Sequence, residues 1–281
     1  MIRFWICCLL FCASAAFAED VLVVEQDYDI LEEKSGGPEA KDVRQKLYLC
    51  RDYMCIDEYG GKAGDERPTE SFLIDFKNKQ IIDLNHIDKK KLTETFDARR
   101  KRIESRKDQA EKDLAAETNP TTKQKLEKLF RSLLDDSRNF ALAENTGALK
   151  TILGKPCKTV KVLVENMPDY LPLEATLHPD LELPYDNAEV LYLLQVIGLR
   201  MSKFLGDHRG TFKYIPMELH LDLAAGGRLD TKVVGIAKIE SSQLNAKSRG
   251  GLGNPFETPP YEEQVKRPMR KTEKKSDERA D

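Results

Sequence analysis

No run of about 18 or more uninterrupted apolar residues occurs in the 281-residue chain, so the mature protein is not expected to span a membrane by helix. Net charge is nearly absent as well, with 45 Lys and Arg against 48 Asp and Glu for a total of −3. Such a balance gives no general field to draw in nucleic acid. Histidine is scarce: His86, His178, His208 and His220 are scattered, and the six cysteines contain no Cys-x-x-Cys. Neither set has the spacing of zinc ligands, so no metal site and no cofactor are expected. Also missing are a Gly-x-Ser-x-Gly elbow, a His-Glu-x-x-His pair and a Gly-rich phosphate loop after a strand. The sequence therefore carries no catalytic signature, and the protein is not read as an enzyme. Gly250-Gly251-Leu252-Gly253 lies late, opens no helix and reads as a flexible loop. What is present is a hydrophobic fraction of 40%, which excludes a mostly disordered polymer, at a length fitting one or two domains.

Residues 1–18 have the order of a secretory signal peptide: Arg3, then the apolar Phe4 to Phe11, then Ala16-Phe17-Ala18 as a small-x-small cleavage site. The expected location is periplasmic or secreted. Cys7, Cys8 and Cys12 would leave with the signal, and Cys50, Cys55 and Cys157 would remain in an oxidising compartment. Cys50 and Cys55 flank four residues, Arg51 to Met54. A hairpin loop of that length would set the two thiols opposite each other, so a Cys50–Cys55 disulfide is expected. Cys157 would then be buried or available to another partner.

Residues 21–85 read as short antiparallel strands. Val21 to Ile30 and Leu47 to Ile56 are apolar-rich, Phe72 to Phe76 alternates, Lys77-Asn78-Lys79 turns, and Gln80 to Leu84 returns. Residues 88–140 change character. Lys89 to Ala116 holds strong helix formers with a narrow apolar stripe, Pro120 breaks the run, and Thr121 or Thr122 caps a second helix. The result is a charged helical hairpin that protrudes from the sheet or lies across it. Arg99, Arg100, Lys101, Arg102, Arg106 and Lys107 alternate with Asp97, Glu104, Asp108, Glu111 and Asp113, without interleaved aromatics. That mixture points to a solvated face with i,i+4 pairs rather than to a nucleic-acid surface.

Leu149 to Val164 restarts β structure, and Pro168, Pro172, Pro179 and Pro184 punctuate an extended connection. Asp186 with Glu189 forms a capping-box pattern, ahead of a segment to Leu205 that is apolar over most of its circumference. A helix over 188–205 should be buried on most sides. Met217, Leu219, Leu221 and Leu223 alternate with Glu218, His220, Asp222 and Ala224 in the clearest strand, and Gly226-Gly227 returns it into Leu229 to Glu240. Residues 262–281 are dense in both charges with no apolar period, and a disordered tail is expected.

This order of elements resembles a family of exported proteins of unknown function whose fold is similar to the outer-membrane lipoprotein carriers. The resembling stretches are Phe72 to Leu84, Gly154 to Val162, Ile215-Pro216-Met217-Glu218 and Phe256 to Tyr261. The resemblance implies an α+β fold over residues 19–261: a curled antiparallel β-sheet (half-barrel) packed on a central apolar helix, with the charged hairpin inserted at about 88–140. It implies no catalytic residues. In such a fold the apolar helix either fills the trough as ordinary core or sits as a lid over an apolar pocket for a lipid, an acyl chain or a lipoprotein. Tyr192, Met201, Phe204, Met217 and Leu219 are the candidate pocket walls. The alternative function is that of a cell-envelope adaptor that binds a protein partner through the helical hairpin, with no small-molecule ligand.

Overall fold

Alternation along the strands sorts apolar side chains onto two faces of one large sheet. The structure is a computed structural model that describes residues 20–34, 37–60, 67–130, 138–144, 149–167, 169–223, 227–245 and 247–264. The expected signal segment and the tail beyond 264 lie outside the described residues. The first six strands are β1 (Asp20–Lys34), β2 (Gly37–Leu49), β3 (Tyr53–Tyr59), β4 (Glu70–Asp75), β5 (Gln80–Asn85) and β6 (Lys90–Thr95). Two helices follow, α1 (Phe96–Ala116) and α2 (Pro120–Phe130). Next come β7 (Phe140–Glu144), β8 (Lys150–Ile152), β9 (Lys155–Val164) and β10 (Leu173–Glu182). The helices α3 (Asn187–Leu193), α4 (Leu199–Asp207) and α5 (Arg209–Phe212) precede β11 (Tyr214–Asp222) and β12 (Arg228–Glu240). A short turn of helix, α6 (Ser248–Gly251), and β13 (Glu262–Glu263) complete the described fold.

Strand order is β13-β6-β5-β4-β3-β2-β1-β12-β11-β10-β9-β7, with β8 on β9. Every pairing is antiparallel except β13 on β6. The sheet ends at β13 and β7 without closing, and it curls: Phe72 of β4 and Leu173 of β10, six places apart in that order, line one cavity. The half-barrel expectation holds. Inside the curl lie Val24, Leu49, Met54, Ile74, Leu193 and Met217, all buried. The outer face is also covered. Val23, Tyr48, Cys55, Leu73 and Leu84 pack beneath Leu244, Phe256 and Tyr261, so the C-terminal segment is a strap across β2–β5.

Several local expectations are corrected. The central helix is not continuous: α3 stops at Leu193, Gln195 adopts φ 60°, and Gly198 caps the start of α4. Asp186 accepts from the amide of Ala188 as expected, but Glu189 pairs with Arg100 rather than closing a capping box. The start of the charged hairpin, 90–95, is strand β6, because its backbone pairs with β5. The run breaks ahead of Pro120, which opens α2 as expected, but the cap is Asn119, whose Oδ1 accepts from the amides of Thr121 and Thr122. The proline-rich connection contains ten-residue β10, whose register with β11 slips beside Pro179. Glu262 and Glu263, placed in the tail, pair with Lys90 and Lys91.

The basic residues of α1 also do more than face solvent. Arg99 is 7% exposed, donates Nε to the carbonyl of Leu193 at 2.8 Å, and pairs with Glu94 at 3.1 Å. Arg102 grips the same carboxylate, and Arg106 donates to Gln195 at 2.6 Å. With buried Ile103, these contacts fasten the first half of α1 onto α3 and the break that follows it. The pairs Arg100–Asp97 and Lys107–Glu111 are of the expected local kind.

Candidate ligand-binding cavity

Two sites stand out, one on each face of the sheet. On the inner face is a cavity of about 260 Å³. Its walls come from alternate residues: Val24 of β1, Leu47 and Leu49 of β2, Ile56 of β3, Ala175 and Leu177 of β10. Tyr185, Val190, Leu194 and Val196 close it from the helical side. The break between α3 and α4 keeps this segment from filling the trough, because a helix interrupted at Gln195 cannot lay a straight apolar ridge along the curl. Burial in this apolar environment pushes the phenol of Tyr185 far above its ordinary range, so it stays neutral.

One end of the cavity is polar. Gln26, Gln45 and Glu58 sit side by side on β1, β2 and β3. Gln26 Nε2 donates to Gln45 Oε1 at 2.8 Å, and Gln45 Nε2 donates to Glu58 Oε1 at 2.9 Å. The cavity thus has a greasy interior and a hydrogen-bonding margin, which suits an amphipathic ligand.

Of the five expected wall residues, only Leu219 lines this cavity. Tyr192 and Met201 are packed into the neighbouring core at 7% and 4% exposure, and Met217, fully buried, lies in the inner core. Phe204 packs against Phe140 and His208 in tilted ring contacts and lines a separate groove. Of α4, Leu205 lines the cavity, whereas Met201 packs with Val160 and Val162 of β9 and Leu173 of β10. The walls that sequence reasoning missed, Val24, Leu47 and Ile56, lie in the apolar-rich runs that identified their strands. Which face was hollow was not written there.

On the outer face, a buried polar network ties the strap to the sheet. Asp57 is 0% exposed and Arg249 6%. Arg249 donates Nε to Asp57 Oδ2 and Nη2 to Asp57 Oδ1, each at 2.5 Å. Ser71 Oγ lies 2.5 Å from Asp57 Oδ1 and 2.7 Å from His86 Nε2, and Tyr261 Oη lies 2.9 Å from His86 Nδ1. With His86 neutral and its proton on Nε2, three donors run in series: Tyr261 to His86, His86 to Ser71, Ser71 to Asp57. Burial first, then the charge of Arg249, lowers the pKa of His86 to about 4. Ser71 donates to a carboxylate and is sealed from solvent, so it is no nucleophile. Five residues make this network, through contacts that join positions up to 192 apart, beyond the reach of any local motif.

The expected hairpin between β2 and β3 is tighter than its spacing implied. Cys50 faces no opposite cysteine: its amide bonds the carbonyl of Tyr53, and Cys55 pairs with Tyr48. Cys50 and Cys55 are therefore diagonal neighbours on the outer face, and Cys50, Cys55 and Cys157 are buried in the structure, none of them in a disulfide. Cys55 donates toward Asp57 at 3.5 Å, and burial holds its pKa well above the usual thiol range. Among the described residues there is no cluster of His, Cys, Asp and Glu able to hold a metal ion, and no helix long and apolar enough to cross a membrane.

No protein-family model matches the chain, and no curated protein matches it. Solved structures do. An uncharacterized conserved protein from Thermus thermophilus is similar over 85% of this chain and 92% of its own, at 7% identity and TM-score 0.35. A domain described as an outer membrane lipoprotein-sorting protein, from Vibrio parahaemolyticus, is similar over 79% and 88%, at 7% identity and TM-score 0.30. A LolA superfamily protein from Nitrosomonas europaea is similar over 78% and 86%, at 9% identity and TM-score 0.28.

Proposed function

We propose that this chain is an exported, non-enzymatic binding protein of the cell envelope that holds the acyl chain of a lipid or lipoprotein in its inner cavity. The observation that carries the reading is the 260 Å³ space between the curled sheet and the α3–α4 segment, apolar inside and bordered by Gln45 and Glu58. It exceeds the roughly 150 Å³ apolar void that takes up benzene. At about 0.8 kcal/mol per buried methylene, six methylenes would contribute about 5 kcal/mol, with the polar head left beside the Gln–Glu row.

Native mass spectrometry and solvent extraction of the purified protein, with titration of a fluorescent fatty acid, test this. Bound lipid or saturable probe binding is expected. Ala175→Leu should abolish probe binding while the thermal transition persists, since the added carbons enter free space. A protein that carries no lipid and takes up no probe overturns the proposal.

A further inference from the structure

The outer face of β1–β3 bears a second pocket, of about 400 Å³ and of opposite chemistry. Arg44 and Lys46 of β2 and Tyr59 of β3 line it, and Lys247, Arg249 and Gly250 of the strap form its rim. Four cations meet two carboxylates here. Arg44 and Lys46 share Glu25, at 3.2 and 2.7 Å, and Arg249 is held by Asp57. Among the described residues no carboxylate pairs with Lys247, which is exposed. The guanidinium of Arg249 is nevertheless incomplete. Nε and Nη2 are engaged, whereas Nη1, on the edge turned away from Asp57, is buried without a hydrogen-bond partner. A buried charged donor left unmade is costly and calls for an acceptor. Tyr48 and Tyr59 hydrogen-bond each other, and burial raises both phenols, so they remain protonated donors. Gly250 is required at the rim: its φ is 62°, and a Cβ there would meet the backbone of Arg67 at 3.0 Å.

We propose that this pocket binds a phosphate-type oxyanion, contacted by Lys247, Lys46 and the Tyr59 hydroxyl, with the buried guanidinium of Arg249 adding its charge from beneath. Cations and neutral donors converge from three separate elements, β2, β3 and the strap, which fits a ligand with several oxygens. The same chemistry is offered by free phosphate and by a phospholipid headgroup. The site is independent of the inner cavity, because its side chains alternate with the cavity walls along the same strands.

Calorimetric titration with inorganic phosphate, and flotation with phosphatidylcholine vesicles with and without phosphatidylglycerol, separate the two sources. Lys247→Ala and Tyr59→Phe leave the Arg249–Asp57 pair intact. Saturable phosphate binding weakened about tenfold by Lys247→Ala supports a free oxyanion. Flotation that needs phosphatidylglycerol and is lost in Lys247→Ala, without phosphate binding, supports a headgroup. Absence of both, or binding that neither variant changes, overturns the site. Fatty-acid probe affinity should be unaltered in both variants, which keeps this result distinct from that for the inner cavity.

Discussion

Acidification should loosen the strap through His86 before the ordinary carboxylates titrate. The imidazole is 4% exposed and neutral, with its pKa lowered from 6.5 to about 4. A depressed histidine pKa means that the unfolded chain binds the proton more readily than the folded one. Stability is then full above pH 6.5 and falls as the pH drops from 6.5 toward 4. At about 1.4 kcal/mol per unit, the loss between pH 7.5 and 4.5 comes to about 2.5 kcal/mol. For a domain of this size that is about 5–10 °C in Tm. Urea or thermal unfolding of the wild type and His86→Gln across this window reads the effect, because the variant loses the titration whatever its own stability. His178, also depressed by burial, and the salt-bridged Glu25 and Asp230, held low, contribute equally to both proteins and cancel in the difference. The wild type should lose about 2.5 kcal/mol more than His86→Gln. Parallel pH profiles for the two would refute the neutral, sealed His86.

Other consequences follow from contacts that sequence patterning missed. Arg99→Ala leaves the carbonyl of Leu193 without its donor and Glu94 held on this side by Arg102 alone, at a cost of about 2 kcal/mol in a denaturant titration. Arg106→Ala, whose partner Gln195 is neutral and whose contact is exposed, should cost under about 1 kcal/mol. Equal effects would mean that α1 is not fastened through the buried arginine. Cys50, Cys55 and Cys157 should resist a thiol reagent in the native protein and should all react after denaturation without reductant, whereas a bridge would leave Cys50 and Cys55 unlabelled.

Deleting the whole charged hairpin to test the adaptor alternative would remove Arg99 and Ile103, both buried. A deletion confined to residues 111–130 spares them. Loss of a partner in a pull-down, with Tm unchanged, would favour the adaptor reading of the outer hairpin.

Local patterning carried the strands at Val21 to Ile30, Phe72 to Phe76 and Gln80 to Leu84, the Asp186 cap and the hairpin of β11 and β12, but not most of β2, since alternation and capping act between near neighbours. It missed the helix break because Gln195 in a left-handed turn leaves no trace in apolar periodicity. It likewise read Arg99 as solvated, since only packing against Leu193 and Glu94 shows that its charge is matched in the interior. The sequence by itself determined which residues are greasy and on which alternating face of each strand they stand. The tertiary structure alone decided that the sheet curls, that the α3–α4 segment stops short of filling it, and that Asp57, Ser71, His86, Arg249 and Tyr261 meet. Those outcomes depend on free energies of contacts between residues far apart in the chain, and no local pattern encodes them.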